Sequence, residues 1–293
     1  MSIHQLNIYG KDKVEQAIER LKTFEPPDGY FLAFSGGKDS VVIKALADMA
    51  GVKYDAHYQR TSVDPPELVQ FIKSFEDVII DTPRYPDDYK NPKLAGKQKT
   101  MWNLIPEKGM PPTRLARYCC QELKESAGQG RFVVTGVRKA ESAKRRHRGG
   151  LELAEKKSYR MTNYDPDNPD QEMIHICHKM ARRHLNPIID WSTAEVWEFI
   201  HEYNVPYCKL YDEGWQRLGC VGCPMAGTKG REFEFKRYPA FKRSYEKAFQ
   251  RMIDKQIEGG VLQERSKRWS AGEPIHNGEK FFRYWLYDEL EER

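Results

Sequence analysis

Tyr30-Phe31-Leu32-Ala33-Phe34-Ser35-Gly36-Gly37-Lys38-Asp39-Ser40 decides the fold. The five residues from Tyr30 to Phe34 form a continuous apolar run, which suits a strand buried on both faces. A Gly-rich turn follows. Asp39 to Ala50 then reads as a helix, with Val42, Ala45, Leu46 and Met49 at helical spacing. In an α/β sheet the carboxyl ends of the strands face the ligand crevice, so this turn lies where ligands bind. Gly36 and Gly37 let the backbone approach an anion without a Cβ in the way. The helix start supplies free N–H groups and partial positive charge. Ser35 and Ser40 add hydroxyls and Lys38 adds a cation. The pattern GxxxxGK[ST] is absent, so this is not a Walker-type phosphate loop.

Working outward, a helix is expected from about Lys11 to Thr23, broken by Pro26-Pro27-Asp28-Gly29. Val52, Tyr54, Ala56 and Tyr58 alternate with polar residues as a second strand. Pro65 to Phe75 reads as a helix opened by Asp64. Asp77–Asp81 and Arg131–Val137 read as further strands. Strands alternating with helices imply an α/β fold, a parallel sheet with helices on both faces. Residues 149–185 look irregular, an insertion or flap. Ser192 with Glu195 forms a capping box for a helix running to about Tyr203, and Trp191 can staple onto Val196. Beyond Cys223 the chain looks helical and basic. The expected organisation is an α/β nucleotide-binding domain over 1–190 and a mainly helical region, 191–293, completing the site.

The chain has 293 residues, 39% hydrophobic and 31% charged, with a net charge of +5. This excludes fibrous, collagen-like and wholly disordered classes. No stretch approaches the ~18 consecutive apolar residues of a membrane span. The N-terminus lacks a basic-then-apolar signal pattern, so a cytoplasmic protein is expected. The basic surplus is concentrated. Residues 138–183 hold 12 Lys/Arg against 7 Asp/Glu, and residues 229–255 hold 9 against 4. Such blocks suit an anionic partner, or the solvated faces of exposed helices.

Gly136 ends the Arg131–Val137 strand and gives backbone access. Arg138 can grip phosphate oxygens bidentately. Lys144-Arg145-Arg146-His147-Arg148 suits a second phosphate or a nucleic-acid backbone. Asp39 is a candidate Mg²⁺ ligand or a helix N-cap. Six cysteines are present. Cys119-Cys120 and Cys220-Val221-Gly222-Cys223 supply four thiolates for zinc or an iron–sulfur cluster. Adjacent cysteines converge poorly on one ion, which favours [4Fe–4S]. Cys177 and Cys208 are isolated and read as small buried hydrophobes.

Ser35-Gly36-Gly37-Lys38-Asp39-Ser40 resembles the SGGxDS signature of the PP-loop ATP pyrophosphatases. From about Gly29 to Met225 the chain resembles the phosphoadenosine phosphosulfate (PAPS) and adenylyl-sulfate reductase family. That resemblance rests on the loop, Gly136-Val137-Arg138 with Glu141-Ser142, and the two cysteine pairs. It extends through Asn186-Pro187-Ile188-Ile189-Asp190-Trp191, Val196-Trp197, Val205-Pro206-Tyr207, Leu210-Tyr211-Asp212 and Gly214. It implies an adenine nucleotide, either ATP, adenylyl sulfate or PAPS, at Ser35–Ser40, Gly136 and Arg138. Mg²⁺ would bridge the phosphates, and Lys38 and Arg138 would be catalytic. It implies a [4Fe–4S] cluster on Cys119, Cys120, Cys220 and Cys223. Reductases of this family carry a nucleophilic cysteine in a C-terminal tail, and no cysteine follows Cys223 here. The chain is in this respect more similar to the sulfur-transfer proteins of DNA phosphorothioation, which act beside a cysteine desulfurase. ATP-dependent sulfur transfer onto DNA or tRNA is therefore expected. A sulfonucleotide reductase with an atypical thiol, or a nucleotide- or redox-sensing regulator, is the alternative.

Overall fold

The computed structural model describes residues 2–125, 127–155, 160–261 and 275–287. In chain order the elements are α1 (Lys13–Thr23), β1 (Tyr30–Ala33), α2 (Lys38–Ala50), β2 (Tyr54–Gln59), α3 (Pro66–Lys73) and β3 (Val78–Asp81). Then come α4 (Met101–Lys108), α5 (Tyr118–Leu123), β4 (Phe132–Val134), β5 (Leu151–Ala154), β6 (Thr162–Tyr164), α6 (Gln171–Lys179) and β7 (Arg182–Leu185). They are followed by α7 (Thr193–Glu202), α8 (Gly227–Arg237), α9 (Pro239–Glu258) and α10 (Gly278–Tyr287). The chain divides into two compact units. One comprises Met1–Gln59, Pro66–Asp81 and Ala127–Leu218; the other comprises Arg60–Pro65, Thr82–Ser126 and Gly219–Arg293.

The first unit is an α/β fold around a seven-stranded sheet of order β3-β2-β1-β4-β7-β5-β6. The β1–β2, β2–β3, β1–β4 and β4–β7 pairs are parallel, with Leu32 opposite Ala56 on one side and Val134 on the other. Parallel pairing on both flanks explains why β1 reads as an unbroken apolar run. Tyr30 and Leu32 are fully buried, each contributing roughly 1.5–3 kcal/mol of transfer free energy. β5 and β6 run antiparallel at one edge. They, α6 and β7 occupy the stretch that looks irregular in sequence. These strands are only three or four residues long, and Arg182-Arg183-His184-Leu185 carries too much charge to read as buried. Pairing with Val133 and Val134 of β4 and with β5 makes it a strand, a tertiary influence that local propensity does not carry.

Helix ends follow the sequence closely. Asp12 and Glu15 form a reciprocal capping box at α1, and Ser192 and Glu195 form one at α7. Each satisfies donors that a helix start leaves unpaired. Trp191 is fully buried, with its ring edge-on to Phe199 at 5.5 Å.

The second unit is mainly helical. α9 packs against α4 and α10. Its core is aromatic: Tyr245 lies edge-on to Trp102 at 5.1 Å and stacks on Trp285 at 5.1 Å, with Phe249 beside Phe281 at 5.1 Å. Among the described residues, no helix is long and apolar enough to cross a membrane.

Candidate functional site

The Ser35–Ser40 loop leaves the carboxyl end of β1, a central strand, and enters α2. Gly37 is the N-cap and has no side chain with which to cap the helix. Asp39 is therefore not an N-cap. It sits in the first turn, its carboxylate shared between Lys38 Nζ at 3.2 Å and Arg138 Nε at 2.7 Å. Ser40 Oγ donates to the Gly37 carbonyl at 2.8 Å, and Ser35 Oγ donates to Ser40 Oγ at 3.3 Å. The loop is thus braced from within. Gly36 has φ +72°, and a Cβ there would lie 2.7 Å from Ile72 Cγ1 and 2.8 Å from Leu68 Cδ1. Packing against α3, as well as backbone geometry, requires glycine.

Arg138 is brought to this loop, but not with a free guanidinium. It is 1% exposed. Besides Asp39, it donates to the Trp191 carbonyl at 3.0 Å and to Thr193 Oγ1 at 3.5 Å. It reaches the loop through Asp39. Gly136 permits this: a Cβ there would stand 2.9 Å from the Asp39 carbonyl oxygen. Lys38 is likewise buried, 7% exposed. One contributor escapes a reading by residue type: the Tyr211 hydroxyl accepts the Lys38 backbone N–H at 3.0 Å, and the Lys38 ammonium lies 5.9 Å from the centre of its ring. The signal was present in Leu210-Tyr211-Asp212, but nothing local connects it to a loop 173 residues earlier.

Part of the first basic block is engaged in ion pairs. Arg145 pairs with Glu141, and Arg148 forms a bidentate pair with Glu152, a carboxylate 1% exposed. Arg146 is exposed. The side chain of Lys144 and the stretch 288–293 lie outside the described residues.

The four cysteines belong to the second unit. Cys119 and Cys120 open α5. The Cys119 thiol hydrogen-bonds Cys120, which pushes Cys119 up and pulls Cys120 down to about 5, aided by the Arg117 guanidinium 3.2 Å from its sulfur. The charges of Cys220 and Cys223 also act on Cys119. Cys220 is pushed up to about 11 by burial. Its Sγ lies 3.6 Å from Thr61 Oγ1 and 3.8 Å from Asp64 Oδ1. Asp64 turns its carboxylate back onto Thr61 at 2.6 Å. The Val221 N–H donates to the Val63 carbonyl at 2.7 Å and the Gly222 N–H to Glu234 at 2.7 Å. Tyr245 donates to the Val221 carbonyl at 3.0 Å. The CxxC turn is therefore held on three sides. Among the described residues, no group of three or more His, Cys, Asp or Glu is arranged to hold a metal ion. Four thiols are a donor set that both zinc and iron–sulfur sites use. Cys177 and Cys208 are fully buried and belong to the first unit.

Two uncharacterised proteins of Methanocaldococcus jannaschii are 28% identical over 201 residues and 27% identical over 252 residues. The alignments cover 66% and 81% of this chain, but only 41% and 45% of those proteins. The chain thus spans less than half the length of either. An adenosine 5'-phosphosulfate reductase of Staphylococcus epidermidis is 25% identical over 241 residues, covering 75% of this chain and 81% of that enzyme. A crystal structure of PAPS reductase from Candida auris covers 75% of this chain and 98% of its own, at 16% identity and a TM-score of 0.46. The family model for the phosphoadenosine phosphosulfate reductase domain matches residues 29–226, and the chain belongs to that family.

Proposed function

We propose that this chain binds ATP through Ser35–Ser40 and uses it in sulfur transfer onto nucleic acid, with Cys119, Cys120, Cys220 and Cys223 holding a [4Fe–4S] cluster. The observation that carries the nucleotide reading is the loop's setting. It stands at the carboxyl end of a central parallel strand, opens a helix whose N-cap is a glycine, and has Lys38 beside it. Helix N–H groups, hydroxyls and a cation suit polyphosphate. Lys38 would offset charge developing at the α-phosphorus. Arg138 would position Asp39, and so Lys38, rather than touch the nucleotide. Both cations already engage Asp39, so Mg²⁺ would arrive with the phosphates.

In the proposed reaction an acceptor phosphate oxygen attacks the α-phosphorus and pyrophosphate leaves. Sulfide then attacks the acceptor phosphorus and AMP departs with the oxygen. No net oxidation occurs. A cysteine desulfurase with a reductant is a suitable sulfide source. The cluster would supply a site for sulfur at iron when bound. The nucleic-acid reading is supported by the second basic block. Lys229, Lys236, Arg243 and Lys247 are exposed, and Arg243 and Lys247 stand one turn apart on the outer side of α9, away from buried Tyr245, Ala248, Phe249 and Met252.

Sulfonucleotide reduction is the second reading, favoured by the likeness to an enzyme named as an adenosine 5'-phosphosulfate reductase. It needs a nucleophilic thiol apart from the four. Burial pushes Cys177 up to about 11 and raises Cys208, which makes both poor nucleophiles. Anaerobic purification with metal analysis, followed by assays for pyrophosphate from ATP and sulfite from adenylyl sulfate, tests both readings. Iron and acid-labile sulfide near about four each, with pyrophosphate release stimulated by DNA or tRNA, is the expected result. Stoichiometric zinc would contradict the cluster, and sulfite release without pyrophosphate would establish the reductase.

A further inference from the structure

Tyr211 has one hydrogen-bonding valence unspent beside the loop. Its hydroxyl oxygen accepts the backbone N–H of Lys38 at 3.0 Å. The hydroxyl proton is then left to serve a further partner as a donor. Burial raises its pKa well above the ordinary phenol value, so the proton stays in place at any working pH. The hydroxyl is also well located. The position a Gly37 Cβ would take lies 3.5 Å from it and 3.5 Å from Ser35 Oγ, so the two hydroxyls bracket Gly37 at the start of α2. The ring is fixed by Trp197, edge-on at 5.0 Å, and by the Lys38 ammonium.

We propose that Tyr211 is a phosphate-contacting residue, its O–H polarised by the Lys38 N–H group and donated to an oxygen of the bound nucleotide. The proposal rests on the nucleotide reading above. Chained hydrogen bonds strengthen one another, so the tyrosine projects the positive end of α2 outward through a neutral group. Selectivity follows: the contact rewards anionic oxygen and is indifferent to the base and ribose.

Tyr211→Phe keeps the ring and removes only the hydroxyl. Isothermal titration of wild type and variant with ATP, inorganic pyrophosphate and adenosine tests the contact. A hydrogen bond to a charged group corresponds to about ten- to a hundredfold in affinity. ATP and pyrophosphate should weaken by that factor, while adenosine affinity stays the same. Unchanged ATP affinity would overturn the proposal. Tighter ATP binding would also overturn it, because the hydroxyl would then be an occupant that phosphate must displace. Independently of the variant, ATP should alter Trp197 emission, read as the difference between wild type and Trp197→Phe; no alteration would count against the contact. If wild type binds adenosine but neither ATP nor pyrophosphate, the nucleotide reading itself fails and takes this contact with it. Wild-type binding with an unaffected variant fails this inference alone.

Discussion

Replacing Arg138 with alanine separates two ways in which a buried arginine can serve a nucleotide loop. The guanidinium is almost fully enclosed, and its loss removes the 2.7 Å contact with Asp39 and the 3.0 Å bond to the Trp191 carbonyl. Breaking a buried pair from one side costs about 3–5 kcal/mol, because the other charge stays behind. Asp39 keeps Lys38 at 3.2 Å and is 19% exposed, which places the expected loss near the lower end, ~3 kcal/mol. Urea unfolding should show it as a lower midpoint with the slope unchanged. The released carboxylate also adds negative charge to the loop proposed to hold phosphate. ATP affinity should fall by about tenfold, equivalent to ~1.4 kcal/mol. Adding Asp39→Asn in the Arg138→Ala background removes that charge, so much of the ATP affinity should return. An arginine that gripped phosphate directly would give no such rescue. Failure of Asp39→Asn to restore binding, or a stability loss under about 1 kcal/mol for Arg138→Ala, would refute the positioning account.

Two further outcomes are expected. Burial raises the Glu234 carboxyl to about 7, partly opposed by the Gly222 N–H. A raised acid pKa means that the folded state holds the proton more tightly, so stability should fall as pH rises from about 4.5 to 7. Glu234→Gln should flatten that fall in thermal melts across the window, and an undiminished slope in the variant would contradict it. Reversing charge at Arg243 and Lys247 should make the log–log salt slope of duplex DNA binding shallower by about 1.8, at −0.9 per phosphate contact; an unchanged slope would remove that face as the polyanion surface.

The β1–loop–α2 unit was legible because its signals are local: an apolar run, two glycines and a helical period. The Ser192–Glu195 capping box was legible for the same reason. Arg138 was legible as a residue of the site but not in its manner of acting, since its partner Asp39 lies 99 positions away. Tyr211 was hidden similarly, as were Thr61 and Asp64 beside Cys220, 159 and 156 positions apart. The charge run 144–148 suggested a free basic patch, yet Glu141 and Glu152, each four residues from its arginine, neutralise Arg145 and Arg148. Charge pairing at that spacing is a visible pattern, but whether a turn or helix brings the partners together is decided by the fold. β7 depended wholly on its neighbours, so its charged residues concealed it.

The central claim is that the Ser35–Ser40 loop holds the phosphates of an adenine nucleotide. Equilibrium titration of ATP against wild type and Lys38→Ala tests it most directly. Lys38 stands at the first turn of α2, with its ammonium near the loop. Removing that cation should weaken ATP by about ten- to a hundredfold, the worth of a charge-assisted contact, while adenosine binding persists. Equal ATP affinity in the two proteins would contradict the account.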